Sequence, residues 1–139
     1  MDLPDFQTRL VFAITSIAVG FKEEITYRGI LQNLLARKYG VLIGLVVASV
    51  LFMLMHVGYQ KLTYENFTKL FLVGIVLGSL YYFTKSLCFC IIIHSLVDAI
   101  YSFSPFFSFT ISSLWGPCII VFVISLWGLR TAINDKAKV

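Results

Sequence analysis

Apolar residues run almost unbroken along most of this chain, and polar ones collect in short intervals between the runs. No Lys, Arg, Asp or Glu occurs from Tyr39 to Gln60, and from Ser86 to Asn134 only Asp98 and Arg130 interrupt. Runs of this length suit helices that cross a hydrocarbon core, which takes about 20 residues. They lack the two-residue alternation of barrel strands, so the backbone has to satisfy its hydrogen bonds within helices. The pattern therefore predicts an all-α fold, a polytopic transmembrane bundle of about five helices.

The first segment begins near Gln7, but its uncharged core, Leu10 to Phe21, is too short to cross alone. Continued to about Arg37 it spans, and it then carries Glu23, Glu24 and Arg28 at depth. At about 100° per residue, Ser16, Gly20, Glu23 and Tyr27 share one face with Glu24 and Arg28 on its flank, so that face must look into the bundle. Arg37, Lys38 and Gly40 are expected to form the first loop. Segment two, Gly40 to Tyr59, carries His56 near its far end, and the polar residues from Gly58 through Asn66 mark the next loop. Segment three, Phe67 to Thr84, contains Gly74-x-x-x-Gly78, a small-residue face for close packing whose role is read as structural. Segment four, Ser86 to about Phe103, has His94 and Asp98 one turn apart near mid-span, and Pro105 closes it. Segment five, Phe107 to Leu129, holds Gly116-Pro117, a kink signal, and a charged tail follows from Arg130. No linker or internal repeat divides the chain, so residues 1–139 read as a single domain of antiparallel neighbours.

Composition agrees with a membrane protein. Of the 139 residues, 59% are hydrophobic and 13% charged, and mean hydropathy is +0.90, outside the range of an ordinary soluble domain. The net charge of +4 is spread over loops and ends without a basic block, which argues for membrane lipids and against nucleic acid as partner. Cys88, Cys90 and Cys118 lie inside apolar runs and read as packing residues rather than a disulfide frame. Asp2 and Asp5 stand where a cleavable signal peptide would be positive, so the first helix is expected to stay in the mature protein. Arg37, Lys38, Lys85, Arg130, Lys136 and Lys138 on one side, against Arg9, Lys61 and Lys69, favour a cytoplasmic C-terminus for a multi-pass protein of the cell membrane.

The intramembrane charges are where chemistry could reside. A charge at the bilayer centre costs roughly 2.5–3.5 kcal/mol on insertion scales, so Glu23, Glu24 and Arg28 need partners or a function. Glu24 with Arg28, or Glu23 with Tyr27, sits one helical turn apart, so an intrahelical pair can offset the burial of one carboxylate and leave the other free. His56 and His94 are the only histidines, and both lie on apolar segments. Two carboxylates and two imidazoles make the inventory of a site that activates water. Two readings of it fit: zinc or another divalent ion held by ligands drawn from Glu23, His56, His94 and Asp98, or a metal-free Glu–His pair acting as general base. The helical metal spacing H-E-x-x-H is absent, and the residues do not decide between them.

Glu23-Glu24-x-x-x-Arg28-Gly29, Phe52-x-x-x-His56 and His94-x-x-x-Asp98 stand in this order on separate apolar segments. Together they resemble the three motifs of the CPBP (Abi) intramembrane proteases, over about residues 21–101. That family includes the type II CAAX prenyl endopeptidases and bacterial relatives linked to bacteriocin processing and self-immunity. The resemblance implies an intramembrane endopeptidase in which Glu23 and His56 activate the attacking water and Arg28 steadies the Glu pair. It implies that His94 and the residue four after it polarise the scissile carbonyl or contribute to a metal site. The last position is often Asn in that family and is Asp98 here; an ionised Asp cannot donate to an oxyanion, so it would be protonated, orient His94 or ligate a metal. Relatives also carry further helices ahead of the Glu pair, so the chain is expected to be a minimal member, a fragment, or one completed by homo-oligomerisation.

Two function classes follow. The first is an endopeptidase acting on a peptide or membrane-protein substrate in a cavity within the bilayer. The second is a non-catalytic membrane immunity or binding protein that uses the same buried polar cluster.

Overall fold

The computed structural model describes residues 5–58 and 63–103, and every element among them is helical. Segment five, with Gly116-Pro117, Cys118 and the charged tail, lies outside the described residues. The first segment is one rod in three parts: α1, Phe6–Glu24; a π-helix, Ile25–Gln32; and α2, Asn33–Tyr39. Then come α3, Val41–Met55, α4, Tyr64–Thr84, and α5, Leu87–Phe103.

The boundaries have local causes. Asp5 Oδ1 accepts from the Thr8 amide at 2.8 Å and so satisfies one of the free N–H groups at the start of the rod. Helical dihedrals persist through both junctions, at Ile25 and Asn33, which makes the long first helix continuous. Arg37 and Lys38, expected in a loop, instead form the last turn of α2, where cations suit the negative end of the helix dipole. Gly40 alone turns the chain into α3, at φ 92°, a left-handed backbone that costs glycine nothing. The expected loop through Asn66 is also shorter: Thr63 Oγ1 accepts from the Asn66 amide at 3.2 Å, so Tyr64, Glu65 and Asn66 become the first turn of α4. α3 stops earlier than expected, with His56 as its capping residue.

The helices meet through small residues. A Cβ added to Gly44 would lie 2.7 Å from the Ala36 nitrogen, so α3 passes α2 at backbone contact. Gly74 lies on Ser49 and Gly78 on Leu45, which seats α4 on α3, and Gly20 seats α1 on Ser95 of α5. In lipid, close van der Waals contact of this kind takes over from the hydrophobic effect as the force between helices.

Among the described residues, polar and charged side chains outnumber apolar ones in the interior; Arg9, Ser16, Glu23, Glu24, Arg28 and Gln32 are all buried. Phe6, Val11, Phe12, Ile14, Ile17 and Phe21 of α1 are each more than half exposed. This inverts the arrangement of a water-soluble domain and suits a hydrocarbon surround. α4 is long and apolar enough to cross a membrane, whereas α3 and α5 are apolar but shorter. At 1.5 Å per residue the 15 residues of α3 reach only about 22 Å, against about 30 Å of hydrocarbon.

Gly44→Ala should cost about 1–3 kcal/mol, because the new methyl meets backbone that cannot yield. Gly29→Ala, whose Cβ would stand 3.4 Å from Leu87 Cδ2, should be nearly neutral by comparison. Unfolding of both variants in detergent, followed by circular dichroism, checks the difference.

Candidate active site

The site begins with the π-helix. Ser16, Gly20, Glu24, Arg28 and Gln32 recur every fourth residue, and all are buried. Four residues of α-helix turn about 400°, so such a series drifts by about 40° per step and would wind off its face. The wider turns of a π-helix rotate less per residue and return Arg28 and Gln32 to the interior. Tertiary bonds hold that widened stretch against α4. Arg28 Nη2 donates to the Gly74 carbonyl at 3.1 Å, and Gln32 Nε2 donates to the Gly78 carbonyl at 2.9 Å. A carbonyl has two lone pairs, so these oxygens can take a side-chain donor beside their own helix bond. The Gly74-x-x-x-Gly78 face therefore anchors the motif helix as well as packing on α3.

Glu24 is fully buried, and its Oε1 accepts from two donors at 2.7 Å each: Arg28 Nη1 from its own rod and His94 Nδ1 from α5. An oxygen that already receives a guanidinium is an acceptor, which assigns the proton between Glu24 and His94 to Nδ1. The other charge of the pair is held too: the Arg28 guanidinium carbon stands 4.7 Å from the centroid of the Phe52 ring. Phe52 also touches both histidines, with centroids 4.9 Å from His56 and 5.9 Å from His94, and its edge meets Tyr27 at 5.4 Å.

The catalytic-type atoms remain on the far side of this clamp. His56 Nδ1 lies 2.9 Å from the Phe52 carbonyl, which can only accept; the Nδ1–H is thus spent, and Nε2 keeps the lone pair. Glu23 Oε2 is buried without a hydrogen-bond partner, 3.8 Å from His94 Nε2. Asp98 Oδ2 lies 3.5 Å from the same nitrogen, and its side chain is 39% exposed against 7% for Glu23. The carboxylates thus run from a closed interior to a more open edge.

The family model for type II CAAX prenyl endopeptidase Rce1-like proteins matches residues 5–100, which contain every one of these groups. The chain belongs to that family. No curated protein and no solved structure gives a significant match. Rce1-like proteins are membrane-embedded proteases, which accords with the polar interior and apolar exterior described above.

The structure brings together Glu23, Glu24, Arg28, His94 and Asp98 by direct contact, and His56 joins them through Phe52. Phe52 entered the sequence reading only as the first residue of Phe52-x-x-x-His56, with no role of its own, and Gln32 was not singled out; an eight-residue π stretch leaves no mark in composition. The signal available was the four-residue spacing that continues from Arg28 to Gln32. Whether the Rce1-like site could hold a metal depends on free donors. Among the described residues, no three His, Cys, Asp or Glu side chains are placed to share an ion. His56 and His94 are each bonded within the protein through Nδ1, which leaves Nε2 of both, with Glu23 Oε2, as the donors an ion would use. No step below runs through a metal.

Glu24→Ala would leave the Arg28 guanidinium buried without its counter-ion and should cost about 3–5 kcal/mol. Glu24→Gln keeps an oxygen acceptor and should cost less. Detergent unfolding midpoints of the two variants give the comparison.

Proposed function

We propose that this chain is an intramembrane endopeptidase of the cell membrane, crossing the bilayer more than once, that hydrolyses a peptide bond in a peptide or membrane-protein substrate. The observation that carries this is the unpartnered Glu23 carboxylate oxygen beside His94, with the His56 imidazole on the shared Phe52 ring.

In this reading a water sits between Glu23 Oε2 and His56 Nε2, the two acceptors left without a partner in the protein. Glu23 takes one proton as the water oxygen attacks the carbonyl carbon, and His56 holds the other hydrogen to aim the oxygen. His94, fixed on Glu24 through Nδ1, presents Nε2 to the carbonyl oxygen; a proton on that nitrogen stabilises the oxyanion. Asp98 orients His94 Nε2 from the open side. The tetrahedral intermediate collapses as Glu23 returns its proton to the departing nitrogen, so the C–N bond breaks and an amine leaves with a carboxylic acid, whose proton then passes to water. Adjacent glutamates perform different tasks because one is neutralised by Arg28 and the other is not.

Purified protein in detergent, given a fluorogenic prenylated CAAX peptide, tests this reading. Glu23→Gln, His56→Ala and His94→Ala should each lower turnover by about 10²–10⁴-fold while the helical circular dichroism persists. Full turnover by folded Glu23→Gln would overturn it. Turnover of the unaltered protein should survive EDTA; a loss restored by Zn²⁺ would assign water activation to an ion instead.

A further inference from the structure

Away from the proposed catalytic groups, the end of the π-helix, α2, the start of α3 and the end of α4 line a half-open cavity of about 220 Å³, far above the ~30 Å³ share of one water. Gln32, Asn33, Arg37, Tyr81, Tyr82 and Lys85 are among its walls. Its chemistry is one-sided. No Asp or Glu occurs between Glu24 and Glu65, or between Glu65 and Asp98, so none of the lining elements brings a carboxylate to this end. Arg37 and Lys38 lie in the last turn of α2, and Lys85 caps α4. The C-terminus of α2 contributes about half a negative charge there, which offsets only part of the charge of Arg37 and Lys38.

The donors are also arranged for an oxyanion. Asn33 Nδ2 donates to the Tyr81 hydroxyl oxygen at 2.8 Å, which leaves the phenol hydrogen to donate into the cavity. Asn33 also donates to the Gly29 carbonyl at 2.9 Å, so the tyrosine is held from a buried stretch of the rod. Lys85 Nζ stands 4.0 Å from the Tyr82 ring centroid and Lys38 Nζ 5.1 Å from that of Tyr39. Cations resting on tyrosines at the end of a bundle are the pattern of a headgroup layer.

We propose that this cavity binds the phosphate headgroup of an anionic phospholipid. Arg37 and Lys85 supply the charge, Tyr81 donates a hydrogen bond to a phosphate oxygen, and the acyl chains pass outward along the exposed apolar side chains of Leu34 and Leu42.

The test uses the full chain in a neutral detergent, with unfolding midpoints and native mass spectrometry as readouts. Dioleoylphosphatidylglycerol should raise the midpoint and remain bound, whereas dioleoylphosphatidylcholine should do neither. Arg37→Gln and Lys85→Gln should each weaken phosphatidylglycerol binding by about fivefold, from the ~1 kcal/mol that a basic residue contributes near an anionic surface. Tyr81→Phe should weaken it without changing the charge, which diffuse attraction would not do. Lys69→Gln, near the opposite end of α4, should leave it unchanged. Equal binding of the two lipids, or unchanged affinity in the Arg37→Gln, Lys85→Gln double variant, would overturn the proposal. Equal protection by inorganic phosphate alone would overturn the lipid assignment and leave a site for free phosphate.

Discussion

One carboxylate oxygen, Glu24 Oε1, holds the interior together. It receives Arg28 and His94 at 2.7 Å each in a position fully closed to solvent. In a low-dielectric interior neither the acid nor the guanidinium is tolerable alone, so each makes the other's burial affordable. From that oxygen the connections fan out. Arg28 reaches α4 through the Gly74 carbonyl and α3 through the face of Phe52, and His94 fixes α5. Every described helix therefore depends on a charge pair formed within one rod.

The same pair explains how two neighbouring glutamates come to differ. Adjacent residues on a helix point about 100° apart, so only one of them can face Arg28 one turn on. Glu24 does, and its charge is neutralised; Glu23 is left with Oε2 buried and unbonded. A basic carboxylate in the membrane is hard to keep, since any nearby donor will pair with it. Here the nearest nitrogen, His94 Nε2, stays at 3.8 Å because its ring is tethered by Nδ1 to Glu24. The structural acid in this way sets the distance between the free acid and its imidazole neighbour, which is the distance that the proposed hydrolysis relies on.

Much of this could be read from the chain. The apolar runs gave the helices, the choice of Glu24–Arg28 or Glu23–Tyr27 as intrahelical pair was visible from spacing, and the polar groups of three segments pointed to one interior. What stayed hidden depends on tertiary contact. The π-helix over Ile25–Gln32 has no local cause in its residue types; it follows from Arg28 and Gln32 reaching the Gly74 and Gly78 carbonyls on α4. Phe52 looked like any core aromatic, and its value lies in touching a guanidinium and two imidazoles at once. The start of α4, in contrast, was legible and overlooked: Thr63 followed by Glu65 and Asn66 is a capping sequence, and the structure uses it as one.

The helices that carry the histidines are the shorter apolar ones, and this follows from the same economy of charge. α3 ends at Met55, so His56 caps a helix instead of sitting within one, and its Nδ1 bonds the Phe52 carbonyl that the helix end leaves free. A carbonyl with no backbone N–H on it has both lone pairs for Nδ1–H, which favours the tautomer that leaves the lone pair on Nε2. Asp98, the most exposed carboxylate of the group, lies on α5, the other short helix. The closed clamp at Glu24 and the more open carboxylate of Asp98 thus share one small bundle, whose helices differ in length.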